Sequence, residues 1–158
     1  MATKRQQRQA FIRYYKEVTG EKEIDMHDVA KFAASKGWTL PAPADPLDLL
    51  AKEFSQSARE ETRTDSRTGK PYRANHAISL DGTGQNVRWF DIDEAPRKHM
   101  LKSLVQRREQ MVGDALHMSF DQDHWNAMNP QEEPIQLPLD LTPDVEWRKN
   151  GDDDQAAA

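Results

Sequence analysis

Residues 65–92 read DSRTGKPYRANHAISLDGTGQNVRWFDI, and this stretch decides the fold class. DSRTG (65–69) and DGTG (81–84) are turn signals, because glycine accepts the backbone conformations that tight reversals need. Between them Tyr72, Ala74, His76, Ile78 and Leu80 alternate with the intervening residues, the two-residue period of a half-buried strand. QNVRWFDI then supplies another strand after the DGTG turn. Residues 62–92 are therefore expected to form a small antiparallel sheet of two or three strands.

Upstream the period is helical. Phe11, Tyr14, Tyr15 and Val18 fall at i, i+3, i+4 and i+7, and Gly20 closes that helix. Asp25 caps a second helix that turns Met26, Val29, Ala30 and Ala33 inward and ends before Gly37. Asp45 caps a third, with Pro46 in the first turn, where a missing N–H costs little. Leu47, Leu50, Ala51, Phe54 and Ala58 are its expected buried stripe.

Downstream, Asp93 or Glu94 is expected to open a long helix that tolerates Pro96 in its first turn and stops near Met128, before Pro130. Leu104, Met111, Met118 and Trp125 recur every seven residues along it. That seam packs either on its own domain or against a second copy through residues 97–125. Arg108 and Gln122 interrupt the inner positions of a regular coiled coil. From Asn129 the chain is rich in proline and acid and has no helical stripe, which predicts an extended, flexible tail. The expected class is α+β: three short helices with a small hairpin sheet (1–92), a long helix (93–128) and an acidic tail (129–158).

Charge follows the same division. Residues 1–113 hold 20 Lys/Arg against 16 Asp/Glu, and residues 114–158 hold 2 against 11, so the overall −5 conceals a mildly basic body and an acidic tail. Such a split suggests a body that faces a polyanion. The absence of cysteine excludes disulfides, thiol catalysis and thiolate zinc sites. No apolar run is long enough to span a membrane. A soluble cytoplasmic protein is expected.

Three helices followed by a hairpin, over roughly residues 8–92, resemble a winged-helix DNA-binding domain. The resemblance implies a recognition helix at 46–61, a wing built from 62–92 and double-stranded DNA as partner, in transcriptional control or DNA maintenance. Lys52, Gln56 and Arg59 are the groove-facing candidates on that helix. Asp48, Glu53, Glu60 and Glu61 make the helix net negative, however, which suits phosphate-rich DNA poorly. Arg63, Arg67, Lys70 and Arg73 on the hairpin are better placed, since cations on a projecting hairpin reach phosphates and release counterions. Further basic residues line the N-terminal helix (Lys4, Arg5, Arg8) and the long helix (Arg97, Lys98, Lys102, Arg107, Arg108).

In the tail, Gln136-Leu137-Pro138-Leu139-Asp140-Leu141 resembles the hexapeptide by which bacterial replication and repair proteins bind the polymerase sliding clamp. The resemblance implies an adaptor or inhibitor that holds a protein partner at residues 135–141 through Gln136, Leu137, Leu139 and Leu141. The other reading of that string is an alternating segment that folds back on its own chain. His117, Asp121 and His124 at i, i+4 and i+7 share one helix face, and that spacing can bind a divalent ion, but no fourth ligand is evident. No nucleophile motif or phosphate-cradling glycine loop is present, so neither catalysis nor a cofactor is expected.

Overall fold

Among the described residues the elements run α1 (Lys4–Thr19), α2 (Met26–Ser35), α3 (Pro46–Glu60), β1 (Thr62–Thr64), β2 (Pro71–Arg73), β3 (Asn75–Ser79), β4 (Val87–Asp91), α4 (Arg97–Met128) and α5 (Thr142–Ala156). The structure is a computed structural model and describes residues 1–84 and 86–156. Gln85, the first residue of the expected QNVRWFDI strand, and Ala157 and Ala158 at the tail's end lie outside the described residues. The chain divides into two compact units, Met1–Lys52 and Glu53–Ala158. No helix among the described residues is long and apolar enough to cross a membrane.

In the first unit, short-range signals set the helix ends. Thr3 and Gln6 form a reciprocal capping box, Gly20 takes the left-handed conformation (φ 72°) that ends α1, and Asp25 Oδ1 accepts the His27 N–H at 2.6 Å to start α2. Tyr15 and Val29 are buried between the two helices. Phe32 meets Tyr15 edge-on at 5.4 Å between centroids, and Phe11 meets Trp38 at 4.9 Å. The core here is an aromatic cluster, which suits a unit this small because each ring removes a large area from water.

The third helix forms where expected, yet it buries no side chain. Its anticipated stripe is a correction, since Leu47, Leu50 and Phe54 stay exposed. Periodicity specifies which residues share a helix face; it does not supply an element to cover that face.

The second unit holds the sheet, and here too the expectation needs correcting. Strands β1 and β2 form one antiparallel hairpin and β3 and β4 another, in two separate two-stranded sheets. The break falls at Ala74, which has no solvent exposure. Its N–H donates to the Glu61 carbonyl at 3.1 Å, and its carbonyl accepts the Ile92 N–H at 2.9 Å. The alternation through 72–80 is continuous in sequence, but at Ala74 the backbone changes partner from the β1 side to the β4 side.

The long helix begins at Arg97, with Pro96 as a cap that offers no side-chain bond. Asp93 does not cap it because its carboxylate is engaged elsewhere, accepting from Arg63 Nη1 at 2.8 Å and from the Tyr72 hydroxyl at 3.1 Å. Helix α4 packs on β3 around Ile78 and Ser103, each 1% exposed. Gln106 bonds both the N–H and the carbonyl of Ser79, at 3.3 and 3.2 Å, as a neighbouring strand would.

Beyond α4 the chain turns back along it. The Asn126 side chain pairs with both backbone groups of Ile135, at 2.8 and 2.9 Å, and Gln122 Oε1 accepts the Leu137 N–H at 2.8 Å. Residues 142–156 then form α5, where the sequence suggested extended chain. Its start is a local device. Asp140 Oδ1 accepts the Thr142 N–H at 3.0 Å, which holds the carboxyl below its ordinary range, and Pro143 is tolerated in the first turn. No apolar stripe is needed to begin such a helix, so a search for stripes misses it.

Candidate functional site

Between the β3–β4 hairpin and α4 lies a groove of about 310 Å³. Arg59, Arg73 and Arg107 line it with Trp89, Gln106 and Gln110, and no carboxylate among the described residues does. Helical spacing explains the α4 contribution: Ser103, Gln106, Arg107 and Gln110 stand at i, i+3, i+4 and i+7, one polar face toward the hairpin. Arg59, from the last turn of α3, lies over the Trp89 ring at 5.5 Å, a cation–π contact.

Arg73 and Arg107 form no ion pair with any described carboxylate. Partial enclosure first, and the neighbouring Arg73 charge second, push the Arg107 guanidinium below the ordinary arginine value. Arginine does not give up its proton in practice, so such a pair is relieved by a bound anion and not by deprotonation. The groove floor is fixed by His76. Its Nε2 lies 3.2 Å from the Arg73 carbonyl, which can only accept, so that nitrogen carries the proton. Nδ1 then accepts from the Ser103 hydroxyl at 3.1 Å. Burial, above all, holds the His76 imidazole below its ordinary value. With Ser103 sealed from solvent, this hydroxyl–imidazole pair joins strand to helix and offers no accessible nucleophile.

The other hairpin cations are placed differently. Arg63 donates twice to Asp91, at 2.9 and 2.8 Å, and once to Asp93, at 2.8 Å. Those hydrogen bonds raise the guanidinium above, and lower the Asp91 carboxyl below, their ordinary ranges. Arg67 pairs with Asp65 at 3.3 Å but is 86% exposed, so that bridge contributes little and exchanges readily. Lys70 Nζ donates to the Lys149 carbonyl of α5 at 2.7 Å. On α3, Gln56 bonds Glu60 and Lys52 is exposed. The structure thus brings Arg73 and Arg59 together with Arg107, and leaves Arg63, Arg67, Lys70, Lys52 and Gln56 outside the groove. Trp89, Gln106 and Gln110 were missed in the sequence; the polar i, i+3, i+4, i+7 face inside an apolar-seamed helix was the available signal.

In the tail segment the backbone is held by Gln122 and Asn126, while Leu137, Leu139 and Leu141 remain about half exposed. Among the described residues no three His, Asp or Glu side chains converge to hold a metal ion, His117, Asp121 and His124 included. Compared with protein-family models, with curated proteins and with solved structures, the chain has no significant match.

Proposed function

We propose that this chain binds nucleic acid, duplex DNA foremost, through the phosphate backbone and without catalysing a reaction. The observation that carries the reading is the groove at Arg59, Arg73 and Arg107, which has three guanidiniums and, among the described residues, no lining carboxylate. Phosphate is the anion that matches a guanidinium fork, and arginines near a groove floor contact it without reading bases. The order of helices and then hairpins resembles that of a winged-helix domain and supports this reading. In this reading the hairpin side meets the backbone, and α3, carrying Glu53 and Glu60, stays out of the major groove.

The test is affinity for random-sequence duplex as a function of salt. Changing Arg73 and Arg107 to Ala weakens binding to all sequences alike and lowers the log–log salt slope by about 0.9 per lost contact. Changing Arg63 does not lower the slope, because its charge is neutralised within the fold. An unchanged slope in a folded R73A/R107A protein overturns the proposal.

A second reading is favoured by the tail. Residues 135–141 are held extended with their leucines half exposed, which reduces the ordering entropy a docking peptide loses on binding. An adaptor that presents this segment to a protein such as the bacterial sliding clamp fits that arrangement.

A further inference from the structure

The arginine groove also has a polar edge that a phosphate alone does not use. In the β3–β4 ladder the Ile92 N–H donates to the Ala74 carbonyl and the Leu80 N–H to the Asn86 carbonyl, both at 2.9 Å. Antiparallel pairing alternates, so residues 74, 76, 78 and 80 turn their peptide groups toward β4, and Asn75, Ala77 and Ser79 turn theirs to the open edge. Gln106 bears this direction out, since it takes both the N–H and the carbonyl of Ser79 from that edge. The same pair on Ala77 has no partner among the described residues, and Ala77 lines the groove. An N–H and a carbonyl side by side form a donor next to an acceptor. The Watson–Crick edge of every nucleobase offers the complementary pair, and offers it only when the base is unpaired.

Beside this edge stands a stacking platform. Trp89 is opposite Ala77 in the strand register, and Arg59 lies over its ring. Bases stack on aromatic rings and on guanidinium planes alike. A cavity of about 310 Å³ is at the small end of ligand pockets, with room for one nucleotide and not for a turn of duplex. Glu61 reaches the lining through Asn75 at 2.6 Å, but its other oxygen lies 3.7 Å from Arg63, which offsets its charge. A peptide strand fits less well. With Ser79 taken by Gln106, the edge leaves only Asn75 and Ala77, and strand addition needs a longer run of free peptide groups. We propose that the groove receives one unpaired nucleotide, its base edge on the Ala77 peptide groups and its face on the Arg59–Trp89 platform, with the adjoining phosphate on Arg73 and Arg107. This rests on the nucleic-acid reading of the same groove and adds a preference to it: a duplex ending in a single-stranded tail binds more tightly than a blunt one.

The test uses one short duplex in three forms: blunt, extended by a tail of thymidines, and extended by an equal tail of abasic sites that keeps the phosphates and lacks the bases. Fluorescence anisotropy with the full chain is expected to show the thymidine tail bound about tenfold more tightly than the abasic tail, the scale of one stacked base. Trp89→Leu is expected to bring the two tails to equal affinity, and Trp89→Phe to keep most of the difference, with unchanged circular dichroism showing that both variants fold. Equal affinity of the wild-type chain for the two tails overturns the proposal and leaves phosphate binding in place, a result that needs no variant. A thymidine preference that survives Trp89→Leu overturns it as well. If the wild-type chain binds none of the three probes at low salt, the nucleic-acid reading falls together with it.

Discussion

At Arg63 the guanidinium is neutralised by Asp91 and Asp93, and at Arg107 it faces Arg73 with no ion pair to a described carboxylate, so identical side chains have opposite availability. The sequence shows both arginines but not which carboxylates the hairpins return to them across 28 and 30 residues. That is why Arg63 reads as a phosphate contact and is an internal ion pair. Ile78 was more legible, because alternation alone assigns it inward, and it is among the largest side chains fully buried. Ile78→Ala is expected to cost about 2–5 kcal/mol in urea unfolding, with the spread set by how far the site collapses. His76 predicts a pH dependence. Burial depresses its folded value, so below the ordinary imidazole value of 6.5 the unfolded chain binds a proton that the folded chain resists. Stability is therefore fully present above that value and falls as the pH drops through it toward the lower folded value. His76→Gln is expected to flatten the fall in unfolding midpoint between about pH 7.5 and about pH 5.5 relative to wild type. Equal slopes in the two proteins exclude His76 as the source.

At the scale of elements, the helix ends were legible because caps are local: Asp25, Asp45 and Gly20 act within a few residues of themselves. What covers an element is not local, and neither the bareness of α3 nor the division of the strands into two sheets can be read from the residues of those elements alone. The tail lies between these cases. Asn126 and Gln122 hold its backbone from α4, an arrangement that hydropathy does not reveal. If the segment docks a partner, replacing Gln136, Leu137 and Leu141 with Ala abolishes capture of a bacterial sliding clamp by the full chain. The thermal midpoint then moves little, since half-exposed leucines contribute only part of their transfer free energy. A large fall in midpoint with no clamp binding by the wild-type chain rejects docking and makes the leucines structural.

For the whole molecule, net charge and local charge pull in opposite directions. The chain carries −5, yet among the described residues the fully charged side chains that line its groove are all arginines. At physiological salt, fields fade over about 8 Å, so attraction to a phosphate acts only at close range and the overall charge opposes approach. Association with DNA is then expected to be slower than for a uniformly basic protein, an expectation that composition alone supports as well. The groove itself was half visible in the sequence: Arg59, Arg73 and Arg107 are all basic residues of note, and only the fold makes them neighbours.

Ala74 ties the two hairpins at a single peptide unit, closed on one side to Glu61 and on the other to Ile92. Neither hairpin can peel away without disturbing an amide or carbonyl that the other one needs, and a two-stranded ribbon alone is marginal in water. The paired strands are therefore expected to open as one cooperative block, so that residues 61–64, 71–79 and 87–92 exchange their amides with solvent deuterium together while the turns between them stay open to proteases.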